Sequence, residues 1–110
     1  MFPKHCVKGT RETDVIQELR PLAPTDTVVS KRRYSSFFET SLESLLKHWK
    51  PRLVEVVGVC TNICVLFTVE ELRNRDYDVR VYRRGVTTYD LVAHRHSLRE
   101  IQRVLGARVV

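Results

Sequence analysis

Residues 53–59, LVEVVGV, form an almost unbroken aliphatic run, and Cys60, Thr61, Asn62, Ile63 and Cys64 follow it without a spacer. Such a Val-rich run has the pattern of a strand buried on both faces of a parallel sheet. Thr61 or Asn62 is suited to cap a helix, and helical patterning continues to about Arg75. A buried strand that passes straight into a helix constrains the fold strongly. Parallel strands cannot be joined by hairpins, and a helix is their usual crossover.

The flanking segments extend the alternation. Residues 27–30 are a short β-branched run and read as a strand. Thr40 opens a helix, and Glu43 three residues later completes a capping box. Leu42, Leu45, Leu46 and Trp49 form its apolar stripe, and Pro51 ends it. Residues 77–82 alternate as a strand, residues 90–105 read as a helix ended by Gly106, and residues 107–110 begin a last strand. Residues 1–10 read as an irregular loop, and residues 13–19 as a turn or two of helix, broken by Pro21 and Pro24. This order predicts an α/β fold, a parallel sheet flanked by helices on both faces. The 110 residues suit one domain, residues 1–110, rather than two. In such sheets ligands bind beyond the carboxyl ends of the strands. Lys31 directly follows the 27–30 run, and the segment from Cys60 to Cys64 directly follows the 53–59 run.

Charge and cysteine usage narrow the functional classes. The formal charge is +6, from 19 Lys+Arg against 13 Asp+Glu. The basic residues are scattered, with no recognition-helix pattern and no aromatic stacking platform, so a solubility charge accounts for them and no nucleic-acid partner is expected. No apolar run approaches the ~20 residues that span a bilayer, and the opening MFPKHCVKG lacks the apolar core of a signal peptide. No membrane association and a cytoplasmic location are therefore expected. Cys6, Cys60 and Cys64 are odd in number, which argues for thiols. The Cys60/Cys64 spacing does not match the paired spacings of structural zinc sites.

Cys64 falls in the first turn of its helix, where free N–H groups and the positive dipole end favour a thiolate. The same N–H groups suit an oxyanion formed when a carbonyl is attacked. Lys31 on a neighbouring strand end adds positive charge. The set suits nucleophilic attack on a carbonyl carbon. The competing reading of Cys64 is a small core residue in an apolar helix.

The same residues carry a resemblance. VVGVCTNICVLFTVEELRNRDYDVRV resembles the central segment of the isochorismatase-like cysteine hydrolases, nicotinamidase branch, in which an aliphatic strand is followed by Gly-Val-x-Thr-x-x-Cys-Val and a helix. FPKHCVKGT, SKRRYSSFFET and HRHSLREIQRVLGARVV resemble that family's Pro-x-His-Cys loop, its Lys-x-x-Tyr-Ser-x-Phe segment and its closing helix and strand. The resemblance covers nearly the whole chain. It implies that Cys64 is the nucleophile and Lys31 the catalytic lysine. It further implies that the backbone N–H groups of Cys60 and Cys64 form an oxyanion hole and that the peptide bond between Val59 and Cys60 is cis. His5 matches a ligand of a divalent metal, zinc, iron or manganese. Tyr34 and Phe37 lie near the matched lysine and either line the pocket or belong to the core.

The implied reaction is hydrolysis of a small carboxamide through a thioester, nicotinamide to nicotinate and ammonia being favoured. The family's first strand, which ends in a catalytic aspartate, and the Asp-x-His part of its metal site have no counterpart ahead of Pro3. The resemblance therefore implies an N-terminally incomplete domain, with an incomplete metal site and little activity alone. Three readings follow: a C-terminal part of a hydrolase, one half of a split enzyme, or a non-catalytic relic serving as an interaction subunit. The expected partners are a small-molecule amide and either a second copy of the chain or a complementing N-terminal segment.

Overall fold

The computed structural model describes residues 3–21 and 24–110. Three parallel strands lie side by side in sequence order, β1 (Val54–Val59), β2 (Val79–Thr87) and β3 (Arg108–Val109). Helix α2 (Leu66–Arg73) crosses from β1 to β2, and α3 (Leu91–Arg103) crosses from β2 to β3. Helix α1 (Leu42–Trp49) precedes the sheet. The expected parallel sheet flanked by helices is present.

The core gathers Leu46 of α1, Val69 and Leu72 of α2, Val79, Val81 and Val86 of β2, and Leu98 and Ile101 of α3. Because β2 has a neighbour on each side, its core-facing valines are almost fully inaccessible. The edge strand β1 differs. Its residues alternate between half-buried and exposed, and Val57 and Val59 are each 63% exposed. The both-faces burial expected for residues 53–59 is therefore corrected to a single covered face. The physical reason is that the face carrying Glu55, Val57 and Val59 is left uncovered among the described residues; β1 is also an edge strand that pairs only with β2.

The sequence expectation for residues 27–30 is also corrected. This segment forms no strand, and Val28 is exposed. A strand exists through its ladder partners, and β propensity alone does not supply them.

Helix α1 starts at Leu42, two residues after the expected Thr40. The Thr40 hydroxyl accepts from the Leu42 N–H at 3.2 Å rather than from the Glu43 N–H, and Glu43 turns to Lys47 and Arg75, so the expected capping box does not form. Strand β2 runs to Thr87, beyond the expected Tyr82, through an irregularity in its pairing with β1 between Val56 and Gly58. Gly85 makes this possible, since a Cβ there would lie 2.7 Å from Val57 Cγ1.

Asp90 caps α3. Its Oδ1 accepts from the Val92 N–H at 2.8 Å and the Ala93 N–H at 3.1 Å. Asp90→Ala should lower stability by about 1 kcal/mol, read as a shift of the urea midpoint at unchanged slope.

Candidate active site

The carboxyl end of β1 builds one side of the site. The peptide bond between Val59 and Cys60 is cis. The Cys60 carbonyl accepts from the Ile63 N–H at 3.1 Å and the Val65 N–H at 3.2 Å, which closes a wide π-helical turn, Thr61–Val65, leading into α2. Helices carrying one such turn often do so at functional sites. Cys64 sits in this turn, half-buried.

Lys31 approaches from the segment that precedes α1. The Ser36 N–H donates to Thr68 Oγ1 of α2 at 3.2 Å, and that hydroxyl donates to Ser36 Oγ at 3.1 Å. Phe37 is buried in the core beneath, with the Arg75 guanidinium 4.4 Å from its ring centroid. Tyr34 stacks on Phe67 of α2 at 6.1 Å between centroids and 13° between planes. These contacts hold the segment against α2. Lys31 Nζ then donates to the Arg33 carbonyl at 2.9 Å and lies 3.6 Å from Cys64 Sγ. Residues 33 positions apart in sequence thus form a cation–thiol pair.

The pair opens into a cleft of about 730 Å³ that His5, Cys6, Lys31, Tyr34, Val59, Cys60, Cys64 and Tyr89 help to line. No Asp or Glu is among the described residues that line it. Phe37 does not line it, so of its two expected places the core is the one observed. His5 Nδ1 donates to the Pro3 carbonyl at 2.7 Å, which fixes the hydrogen on that ring nitrogen. Among the described residues no group of three or more His, Cys, Asp or Glu side chains could hold a metal ion. His5 alone does not fit a stable divalent metal, which needs at least about three protein ligands. Among the described residues no helix is long and apolar enough to cross a membrane.

The sequence pattern singled out neither Tyr89, which lines the cleft, nor His94, whose Nδ1 lies 2.9 Å from Thr61 Oγ1. Tyr89 lies just past the carboxyl end of β2, where α/β sheets place their ligands, so strand direction was an available signal. His94 had none, because helical spacing does not reveal which turn of a neighbouring element a side chain meets.

Residues 1–110 match the isochorismatase domain. The chain belongs to the isochorismatase family. It is 32% identical to the uncharacterised isochorismatase family protein PncA of Bacillus subtilis over 115 residues, which cover 99% of this chain and 63% of that protein. Among solved structures, the nicotinamidase/pyrazinamidase PncA of Bacillus subtilis superposes with a TM-score of 0.92 at 28% identity, covering 100% of this chain and 63% of that one. The nicotinamidase SaPncA of Staphylococcus aureus gives a TM-score of 0.73 at 41% identity, covering 74% of this chain and 53% of that one. This isochorismatase-family chain thus spans somewhat less than two thirds of the length of the Bacillus protein and about half that of the Staphylococcus one.

Proposed function

We propose that the chain carries the thiol–lysine part of a cysteine hydrolase site acting on small carboxamides, with nicotinamide the favoured substrate. The observation that carries this reading is the 3.6 Å approach of Lys31 Nζ to Cys64 Sγ at the carboxyl end of β1. Family membership and the two nicotinamidase structures support the substrate class.

In this reading the Cys64 thiolate attacks the carboxamide carbon, and the carbonyl oxygen gathers negative charge facing the Cys60 and Cys64 N–H groups. The C–N bond breaks, the nitrogen takes a proton and leaves as ammonia, and a thioester to Cys64 remains. Water attacks the thioester, releasing the carboxylic acid and the thiol. Lys31 keeps its positive charge beside the sulfur in both steps. The proton transfers need a carboxylate that the described cleft does not supply. A complementing segment seated along the open edge of β1 is the proposed source, with a second copy of the chain as the other candidate. His5 would be one ligand of a divalent metal, with the remaining ligands from that same segment. The reading as a non-catalytic interaction subunit draws on one observation, the exposed Val57 and Val59 beside that edge. It is distinguished by binding without turnover.

Thiol labelling tests the reading. At about pH 6.5, iodoacetamide should modify Cys64 at least about tenfold faster than Cys6 or Cys60, and Lys31→Ala should remove most of that advantage. Peptide mass spectrometry measures all three rates in one sample. Equal rates in the folded chain would overturn the assignment of Cys64 as nucleophile.

A further inference from the structure

We infer that Thr61 and His94 form a positioning pair that holds the nucleophile-bearing turn in its reactive geometry. The inference rests on the reading of Cys64 as the nucleophile. Thr61 is the first residue of the π-helical turn and is 0% exposed. Its hydroxyl lies 2.9 Å from Nδ1 of His94, a half-buried residue in the first turn of α3. A threonine at the start of a helix commonly turns its hydroxyl onto its own backbone. No side-chain cap forms at this helix start, and the hydroxyl is committed to a separate helix instead.

The anchor is itself fixed. Asp90 Oδ1 accepts from the Val92 and Ala93 N–H groups, and the His94 N–H donates to the Asp90 carbonyl at 2.9 Å. His94 therefore offers its ring from a capped helix rather than from a loop. The turn it meets is of the less common wide kind, closed by the Val65 N–H onto the Cys60 carbonyl. Tightening that turn to ordinary α geometry would rotate Cys64 about the helix axis and away from Lys31 Nζ, now 3.6 Å from the sulfur. Neither Thr61 nor His94 lines the cleft, so the pair acts through the turn and does not touch a substrate.

The test uses the 110-residue chain and the ratio of iodoacetamide labelling rates, Cys64 over Cys60, with Cys6 as a second internal standard. Circular dichroism and urea melts report folding. Thr61→Val and His94→Leu should lower the ratio about tenfold or more, because small displacements of a reacting atom carry large rate effects. Thr61→Ser and His94→Asn keep a hydrogen-bonding partner, Asn because its δ atoms stand where Nδ1 stands, and should restore the ratio to within about threefold. A merely structural role would lower the urea midpoint and raise labelling of all three thiols together, and conservative replacement would not restore the Cys64 ratio selectively. Should the apolar variants fail to fold, His94→Gln decides by the same ratio, since its side chain stays polar but carries its amide one bond beyond the place of Nδ1. An unchanged ratio in folded Thr61→Val and His94→Leu, or in folded His94→Gln, overturns the inference. Failure of the nucleophile reading looks different, because Cys64 would then show no advantage in the unaltered chain.

Discussion

Nicotinamide incubated with the 110-residue chain should release ammonia at a rate close to the uncatalysed background. The cleft holds a thiol, an ammonium and the N–H groups of a wide helical turn, yet no carboxylate among the described residues lines it. Without a proton acceptor the thiol is less readily activated, and without a proton donor the amine is a poor leaving group. General acid–base help is typically worth about 10²–10⁴-fold, and groups acting as a unit lose more when one is missing. Supplying a segment that pairs with the open edge of β1 and delivers an aspartate into the cleft should raise the rate by at least about 10²-fold. Cys64→Ala should then return it to background, and Lys31→Ala should do nearly the same. Enzyme-like ammonia release from the isolated chain, abolished by Cys64→Ala, would mean that an acidic residue outside the described cleft acts as the base.

Ile101→Ala should remove a large fraction of the chain's stability. Ile101 is fully buried on α3 within the cluster that also holds Val69, Leu72 and Val81. Removing a side chain of this size from a packed site loses about 2–5 kcal/mol, the sum of lost transfer energy and the cavity left behind. Whole domains are stable by only about 5–15 kcal/mol. This one also exposes Val57 and Val59 on its edge strand, apolar area that contributes nothing to its core. A urea melt should show a midpoint shifted by a large fraction of its starting value, or no cooperative transition. An unfolding free energy within about 0.5 kcal/mol of that of the unaltered chain would show that the α3 packing is not what holds the sheet.

The alternation of elements was legible in the sequence because each signal is local. The aliphatic run before Cys60, the helical stripe after Thr40 and the Gly106 stop depend on residues a few positions apart, and the observed β1, α1 and α3 follow them within a few residues. The place of Cys64 was legible for the same reason: strand direction puts it at the strand's carboxyl end before any contact is known. Features that depend on distant partners were not legible. The β-branched segment at residues 27–30 forms no strand because no ladder neighbour lies beside it among the described residues. Val57 and Val59 face solvent because their face of the sheet is left uncovered among the described residues, which the residues of β1 do not encode. Phe37 and Tyr34 have similar rings three positions apart, yet one sits in the core under Arg75 and the other lines the cleft. Local residue pattern specifies an α/β chain with a cysteine at a strand end and a lysine ahead of it. That Lys31 reaches to 3.6 Å from Cys64 and that His94 meets Thr61 depends on the packing of whole elements, because residues 33 apart meet in no other way.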